Sequence, residues 1–155
     1  MLDRIDKKIL EILQSDNQIS NQDLAQRVSL SPTPCLRRVK QLVANGVISK
    51  QVALLNPDVL GLKLTIMVLV GLDKHSAKKM AAFEQAICEF SEVLECHLIT
   101  GQSADYILKV IVPDMTAYQA FLLNRLMPLE GVNNIQSSFV LQSIINKSAL
   151  PLDLN

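Results

Sequence analysis

Apolar residues at the start of the chain recur at helical spacing, Ile5, Ile9, Ile12 and Leu13 with Leu2 a turn earlier. Asp3 stands where an acidic cap suits the positive end of a helix, so a first helix is predicted from there. Ser20 followed by Asp23 forms a shortened capping box ahead of Leu24, Ala25 and Val28, the buried face of a second, two-turn helix. Ser31 then supplies an N-cap and Pro32 a first-turn residue for a third helix. Its apolar face is read as Cys35, Leu36, Val39, Leu42 and Val43, and Asn45-Gly46 offers a left-handed stop. From Val47 to Leu54 the pattern alternates enough for a strand or wing that closes this small core.

Beyond Asn56-Pro57-Asp58 and Gly61 the periodicity changes. Gly61 to Leu72 reads as a strand, and Ser76 caps a helix bearing Met80, Phe83, Ile87 and Phe90. Val93 to Thr100 and Tyr106 to Val112 read as two strands joined through Gly101. Asp114 caps a helix lined by Met115, Tyr118, Phe121, Leu122 and Leu126, which Pro128 and Gly131 end before a last strand from Ile135 to Ile145. The order β-α-β-β-α-β predicts a ferredoxin-like antiparallel sheet with two helices on one face, and an α+β chain overall. The expected divisions are a head at 1–51, a linker strand and turn at 52–61, a second domain at 62–147 and a tail at 148–155. The first strand is apolar at both parities, so the uncovered sheet face calls for a partner, most simply a second copy.

Charge sharpens the division. The 155 residues carry fifteen Lys plus Arg and fifteen Asp plus Glu, yet residues 1–50 hold eight against five and residues 51–155 seven against ten. Attraction to a polyanion therefore belongs to the head alone. The longest apolar stretch, Leu64 to Leu72, is far shorter than the roughly 20 residues of a membrane span. The charged opening Asp3, Arg4, Asp6, Lys7, Lys8 lacks the apolar block of a secretory signal, giving the expectation of a cytoplasmic protein. Cys35, Cys88 and Cys96 lack metal-ligand spacing and are expected to be free thiols. His75 and His97 lie on different elements, no phosphate loop is present, and Cys96 beside His97 would point to opposite strand faces. Neither a metal nor an enzymatic constellation is therefore expected.

A helix, a tight turn and a second capped helix form a helix-turn-helix arrangement, leaving Thr33, Pro34, Arg37, Arg38, Lys40 and Gln41 outside the third helix's apolar face. Arg forks onto guanine or phosphate, Lys supplies a point charge and Gln pairs with adenine, so this face suits a major groove. The residues Leu2-Asp3 with Asp6, Leu24-Ala25, Leu30-Ser31-Pro32-Thr33-Pro34-Cys35-Leu36-Arg37-Arg38 and Asn45-Gly46-Val47-Ile48 closely resemble the Lrp/AsnC family of transcription regulators. The resemblance implies a winged helix-turn-helix head followed by an amino-acid-sensing domain, in homodimers that assemble further, often to octamers, on double-stranded DNA. The DNA-binding set is then Asn21, Gln22, Ser31, Thr33, Pro34, Arg37, Arg38, Lys40 and Gln41.

Thr100-Gly101-Gln102-Ser103-Ala104-Asp105-Tyr106 resembles the family's Gly-x-x-Asp-Tyr effector loop, with three residues here between Gly101 and Asp105 where the family pattern has two. Loop N–H groups suit a carboxylate and Asp105 an ammonium, the two polar demands of a free amino acid. Ser137-Ser138-Phe139 resembles a segment lining the family's inter-dimer pocket. The implied effector residues are Thr100, Gly101, Ser103, Asp105, Tyr106, Ser137, Ser138 and Phe139. The implied effector is a small amino acid, with leucine, methionine and cysteine in view and no cofactor. Two rivals share this composition: a winged helix that docks a protein instead of DNA, and a small amino-acid-binding enzyme on the ferredoxin-like fold.

Overall fold

The computed structural model describes residues 2–73, 76–101 and 103–154; His75 and Gln102 lie outside that set. The backbone divides into two compact units, 1–54 with 144–155, and 55–143. Residues 144–155, expected partly in the second domain and partly as a separate tail, thus group with the head.

In the head, α1 (Arg4–Ser15) starts from a reciprocal capping box in which the Asp6 amide donates to Asp3 at 2.8 Å and the Asp3 amide to Asp6 at 3.2 Å. Ser20 caps α2 (Asn21–Arg27) by accepting from the Asp23 amide at 3.1 Å. The turn to α3 (Pro32–Ala44) passes through Ser29 at φ 58°, and the Leu30 amide closes it onto the Ala25 carbonyl at 2.9 Å. Gly46, at φ 71°, ends α3 as expected. The core consists of Ile9, Leu10, Leu24, Ala25, Val28, Cys35 and Leu42, and burial raises the Cys35 thiol pKa. Gln14 pairs with the tail by donating to the Leu150 carbonyl at 3.2 Å and accepting from its amide at 2.6 Å.

Two expectations change here. Leu36 and Val43 are 42% and 48% exposed, and the inward stripe is Cys35, Val39 and Leu42. Each successive residue turns about 100° around the helix, so Leu36 and Val43 flank that stripe beyond the reach of the two short helices facing it. No strand forms over 47–54, where Val52 and Leu54 are 65% and 77% exposed. Alternation supplies the pattern of a strand but not the neighbouring strand its N–H and C=O groups require.

The second unit runs β1 (Leu64–Leu72), α4 (Ala77–Cys88), β2 (Val93–Leu98), β3 (Tyr106–Val112), α5 (Met115–Phe121) and β4 (Val132–Phe139). The strand order β2-β3-β1-β4, antiparallel throughout, is the expected ferredoxin-like sheet. Ile66, Val68 and Val70 of β1 pair with Val110, Leu108 and Tyr106 of β3, and this face is buried under Phe83 and Ile87 of α4 and Tyr118 and Phe121 of α5. A π turn at Leu122–Leu126 continues α5, its wider pitch returning Leu126 to the buried side five residues after Phe121. Arg125 holds that turn by bonding Glu92 at 2.6 and 2.7 Å and lying 4.2 Å over the Phe90 ring. Met115, counted in the apolar side of α5, is 54% exposed just past the end of β3.

The last strand begins and ends earlier than expected. Gly131, at φ 89°, turns the chain so that Val132 enters the sheet, and Phe139 already faces Ile66 near the start of β1. Past that point the Val140 amide still donates to the Thr65 carbonyl at 3.0 Å, after which Leu141, Ile144 and Ile145 are 98%, 78% and 75% exposed. β1 likewise starts at Leu64 and β2 stops at Leu98, against expected limits of Gly61 and Thr100, although the Ile99 amide beyond β2 still has a main-chain partner.

The buried aromatic and the exposed Leu36 give stability effects of different size. Phe83→Ala should cost about 3–5 kcal/mol in denaturant unfolding, as buried aromatic truncations do, whereas Leu36→Ala should stay within about 0.5 kcal/mol. A large loss at Leu36 would contradict its outward placement.

Candidate DNA-binding and effector sites

The outward face of α3 is built by what its other faces bury. With Cys35 and Leu42 inside, Thr33, Arg37, Lys40 and Gln41 are left exposed, and Ser31 and Gln22 lie exposed at the ends of the turn. Arg37 makes no hydrogen bond or ion pair among the described residues. Pro34 is half-buried. Asn21 turns inward, its Nδ2 donating to the Pro32 carbonyl at 2.9 Å while Oδ1 is buried with no partner among the described residues. It thereby fastens α2 to the first turn of α3.

Arg38 departs from expectation. One guanidinium nitrogen bridges Asp3 Oδ2 at 2.6 Å and Asp6 Oδ1 at 2.8 Å, so the group points back to the start of α1 instead of outward. The Asp6 amide, then Arg38, hold the Asp3 carboxyl below its usual pKa, and Asp3 followed by Asp6 raises that of Arg38. Reading α3 alone could not show this, because the partners lie 35 and 32 residues away. Leu36 was also missed as a surface residue; beside Arg37 it offers the apolar contact a thymine methyl accepts.

In the second unit the segment 99–105 is anchored by main chain: the Ile99 amide donates to the Asp105 carbonyl at 2.8 Å and the Asp105 amide to the Val70 carbonyl at 2.9 Å. Gly101, at φ 86°, lets the loop turn, and Thr100, Gly101 and Ser103 are exposed. A methyl group on Gly71 would lie 3.3 Å from the Ser103 carbonyl oxygen, so that glycine lets the loop cross the end of β1. The Asp105 carboxylate accepts from the Leu72 amide at 2.7 Å, which fixes its direction. Tyr106, expected in the same site, is buried on the opposite side of the strand. Its hydroxyl donates to Glu84 at 2.8 Å and its ring lies 4.7 Å from that of Phe83. Burial, then Glu84, pushes its pKa well above the ordinary phenol value.

Ser137 and Phe139 face α5. The Ser137 hydroxyl meets the Tyr118 hydroxyl at 2.5 Å, and Phe139 packs edge-on to Tyr118 with ring centres 5.6 Å apart. Ser137 also lines a hollow of about 360 Å³ with Leu122, Met127 and Asn134. Ser138 points to the uncovered face with Met67, its partner in register. Two strand spacings and several residues separate Ser137–Phe139 from Asp105, on the order of 10 Å or more. One copy of the chain therefore does not bring the two halves of the expected effector set together.

The uncovered face carries Met67, Leu69, Ile107 and Ile111, all half-buried, as the two-sided apolar pattern of β1 required. At its edge Lys109 bonds Glu95 at 2.9 Å, and His97 stands 3.5 Å from the same carboxylate. Lys109, with a smaller contribution from His97, holds the Glu95 pKa down. Cys96 and His97 alternate across the strand, paired with Leu108 and Ile107 on opposite faces.

With this geometry in place, comparison with known proteins is direct. A family model for winged helix-turn-helix DNA binding matches residues 2–49, and one for the Lrp/AsnC ligand-binding domain matches residues 65–150. The chain is 44% identical over 151 residues to the Bkd operon transcriptional regulator of Pseudomonas aeruginosa, covering 97% of this chain and 98% of that protein. It is 42% identical over 149 residues to the leucine-responsive regulatory protein of Escherichia coli, covering 96% and 90%. Among solved structures, a transcriptional regulator of Neisseria meningitidis in complex with L-Met superimposes with a TM-score of 0.95 at 38% identity, over 99% of this chain and 98% of that one. An AsnC-family regulator from Agrobacterium tumefaciens gives 0.93 at 39% identity, over 98% of both chains. These relatives are transcriptional regulators, and among the described residues no helix is long and apolar enough to cross a membrane.

The Asp105 bond gives a prediction independent of any ligand. Asp105→Ala leaves the Leu72 amide without that acceptor and should lower stability by about 1–3 kcal/mol, the cost of an unsatisfied buried donor. Thermal unfolding without added amino acid checks this, and an unchanged midpoint would contradict the anchoring role.

Proposed function

The chain belongs to the Lrp/AsnC family of transcriptional regulators, and on that premise we propose that it is a cytoplasmic regulator whose homodimer reads two DNA half-sites and responds to a small amino acid. Arg37 carries the reading. It is an exposed guanidinium on α3, unpaired among the described residues, in a head where cations outnumber anions by eight to five over residues 1–50; Ser31, expected to cap α3, stands at the N-cap position without a side-chain bond. Thr33, one turn before it, with Lys40, Gln41, Gln22 and Ser31, completes a polar face for bases and phosphates of a major groove.

Dimerisation uses the uncovered sheet. Packing Met67, Leu69, Ile107 and Ile111 against the same residues of a second copy removes an exposed apolar face and brings two heads into one molecule. Linking heads compensates for the weak electrostatic pull of each by raising the effective concentration of the second contact. Further assembly, to an octamer, lets the loop bearing Asp105 in one dimer meet Ser137–Phe139 of another. This supports an effector pocket between dimers, with the loop amides toward a carboxylate and Asp105 toward an ammonium. Methionine is the first candidate because the Neisseria regulator is solved with L-Met, and leucine the second from the name of the Escherichia coli relative.

Three outcomes follow. Arg37→Ala should reduce the slope of log affinity against log salt by about 0.9, the signature of one lost phosphate contact, or weaken a selected duplex roughly 5- to 100-fold if it reads a base; an unchanged titration removes Arg37 from the interface. Leu69→Lys with Ile107→Lys should give a monomer in sedimentation, and a retained dimer would reject this face. L-methionine or L-leucine should raise the melting temperature of the wild type and not of Asp105→Ala, and an equal rise in both would move the pocket elsewhere.

A further inference from the structure

Arg37 and Arg38 are neighbours in sequence but point about 100° apart on the helix, and the structure gives them different surroundings. Arg38 enters a site already built: Asp3 and Asp6 hold each other through the α1 capping box, so both carboxylates are oriented before the guanidinium arrives. The resulting triad carries two negative charges and one positive, a net −1 that repels a phosphate instead of holding it. Its side chains are 31%, 49% and 17% exposed for Arg38, Asp3 and Asp6, and pairs this open to water contribute little to overall stability. What they do supply is a fixed geometry between α1 and α3, two helices whose remaining contact is slight compared with that of α2 and α3.

Resting on the DNA-binding reading above, we propose that Arg38 is a positioning residue for DNA recognition: through Asp3 and Asp6 it sets the orientation of α3, so that Arg37 faces the groove. Asp3 and Asp6 belong to the recognition machinery on the same ground, although neither approaches DNA. The capping box that starts α1 therefore has a second role, as the socket that aims the recognition helix. This fits the local charge pattern, since a head intended for a polyanion gains nothing electrostatically by spending one of its cations on two carboxylates.

The test uses the full chain, a duplex selected by the wild type from a random-sequence pool, and a non-specific duplex of equal length. Arg38→Ala should lower the ratio of selected to non-specific affinity about tenfold while leaving the salt slope unchanged. Asp3→Asn with Asp6→Asn should lower the ratio by a similar factor, and combining all three substitutions should be no worse than either set alone. Arg38→Lys should recover part of the loss, and it serves as the working variant if Arg38→Ala does not fold. A salt slope reduced by about 0.9 in Arg38→Ala would mean a direct phosphate contact and overturn the proposal. So would tighter selected binding in the Asp double variant, or a lowered melting temperature with an unchanged affinity ratio. A wild type that selects no duplex overturns the DNA-binding reading itself, whereas loss at Arg37 without loss at Arg38 overturns only the positioning role.

Discussion

The two-sided apolar character of β1 constrains the rest of the second unit. Flanked by β3 and β4, this strand presents Ile66, Val68 and Val70 to one side and Met67 and Leu69 to the other. Two helices cover the first side, and Met67 and Leu69 on the second are left half-buried. Burial of the remaining apolar area is the driving force of the proposed association, because it scales with surface removed from water regardless of whose chain supplies the cover. In the proposed dimer, pairing of heads follows from a packing requirement located far along the sequence from α3.

The head works by a different economy. Its core is small, and local bonds mark the ends of its helices: Asp3 with Asp6, Ser20, and the Asn21 amide on the Pro32 carbonyl. Such local bonds fix where α2 and α3 begin and the turn between them. Within α3 the division of labour is set by angle. Cys35, Val39 and Leu42 face inward, Arg38 turns toward α1, and Thr33, Arg37 and Gln41 remain outside. A single helix thus presents a packing stripe, an intramolecular ion pair and an outward polar face.

Much of this was legible in the residue pattern, for identifiable reasons. Caps are local signals, and Asp3, Ser20, Ser76 and Asp114 each cap the helix they announce. The β-α-β-β-α-β order followed from period together with caps and turn residues, and the apolar second face of β1 from parity. What escaped depended on distant partners. Leu36 and Val43 belong to an apolar pattern wider than the two opposing helices can cover, the 47–54 segment alternates without a strand beside it, and β4 ends at Phe139, opposite Ile66 near the start of β1. Tyr106 adjoins Asp105 in sequence, yet alternation sends its ring under α4 while Asp105 stays at the loop. Arg38 beside Arg37 looked like a matched pair until its carboxylate partners, from the other end of the head, came into reach.

The central claim is that two copies, joined by their sheets, present two recognition helices to one DNA duplex. Hydroxyl-radical footprinting of the purified protein on a selected duplex tests it most directly. The account predicts at least two protected patches on one face of the helix, spaced by about 10 base pairs or a multiple of that; a single protected patch covering one major-groove segment, at protein concentrations that saturate the site, would contradict it.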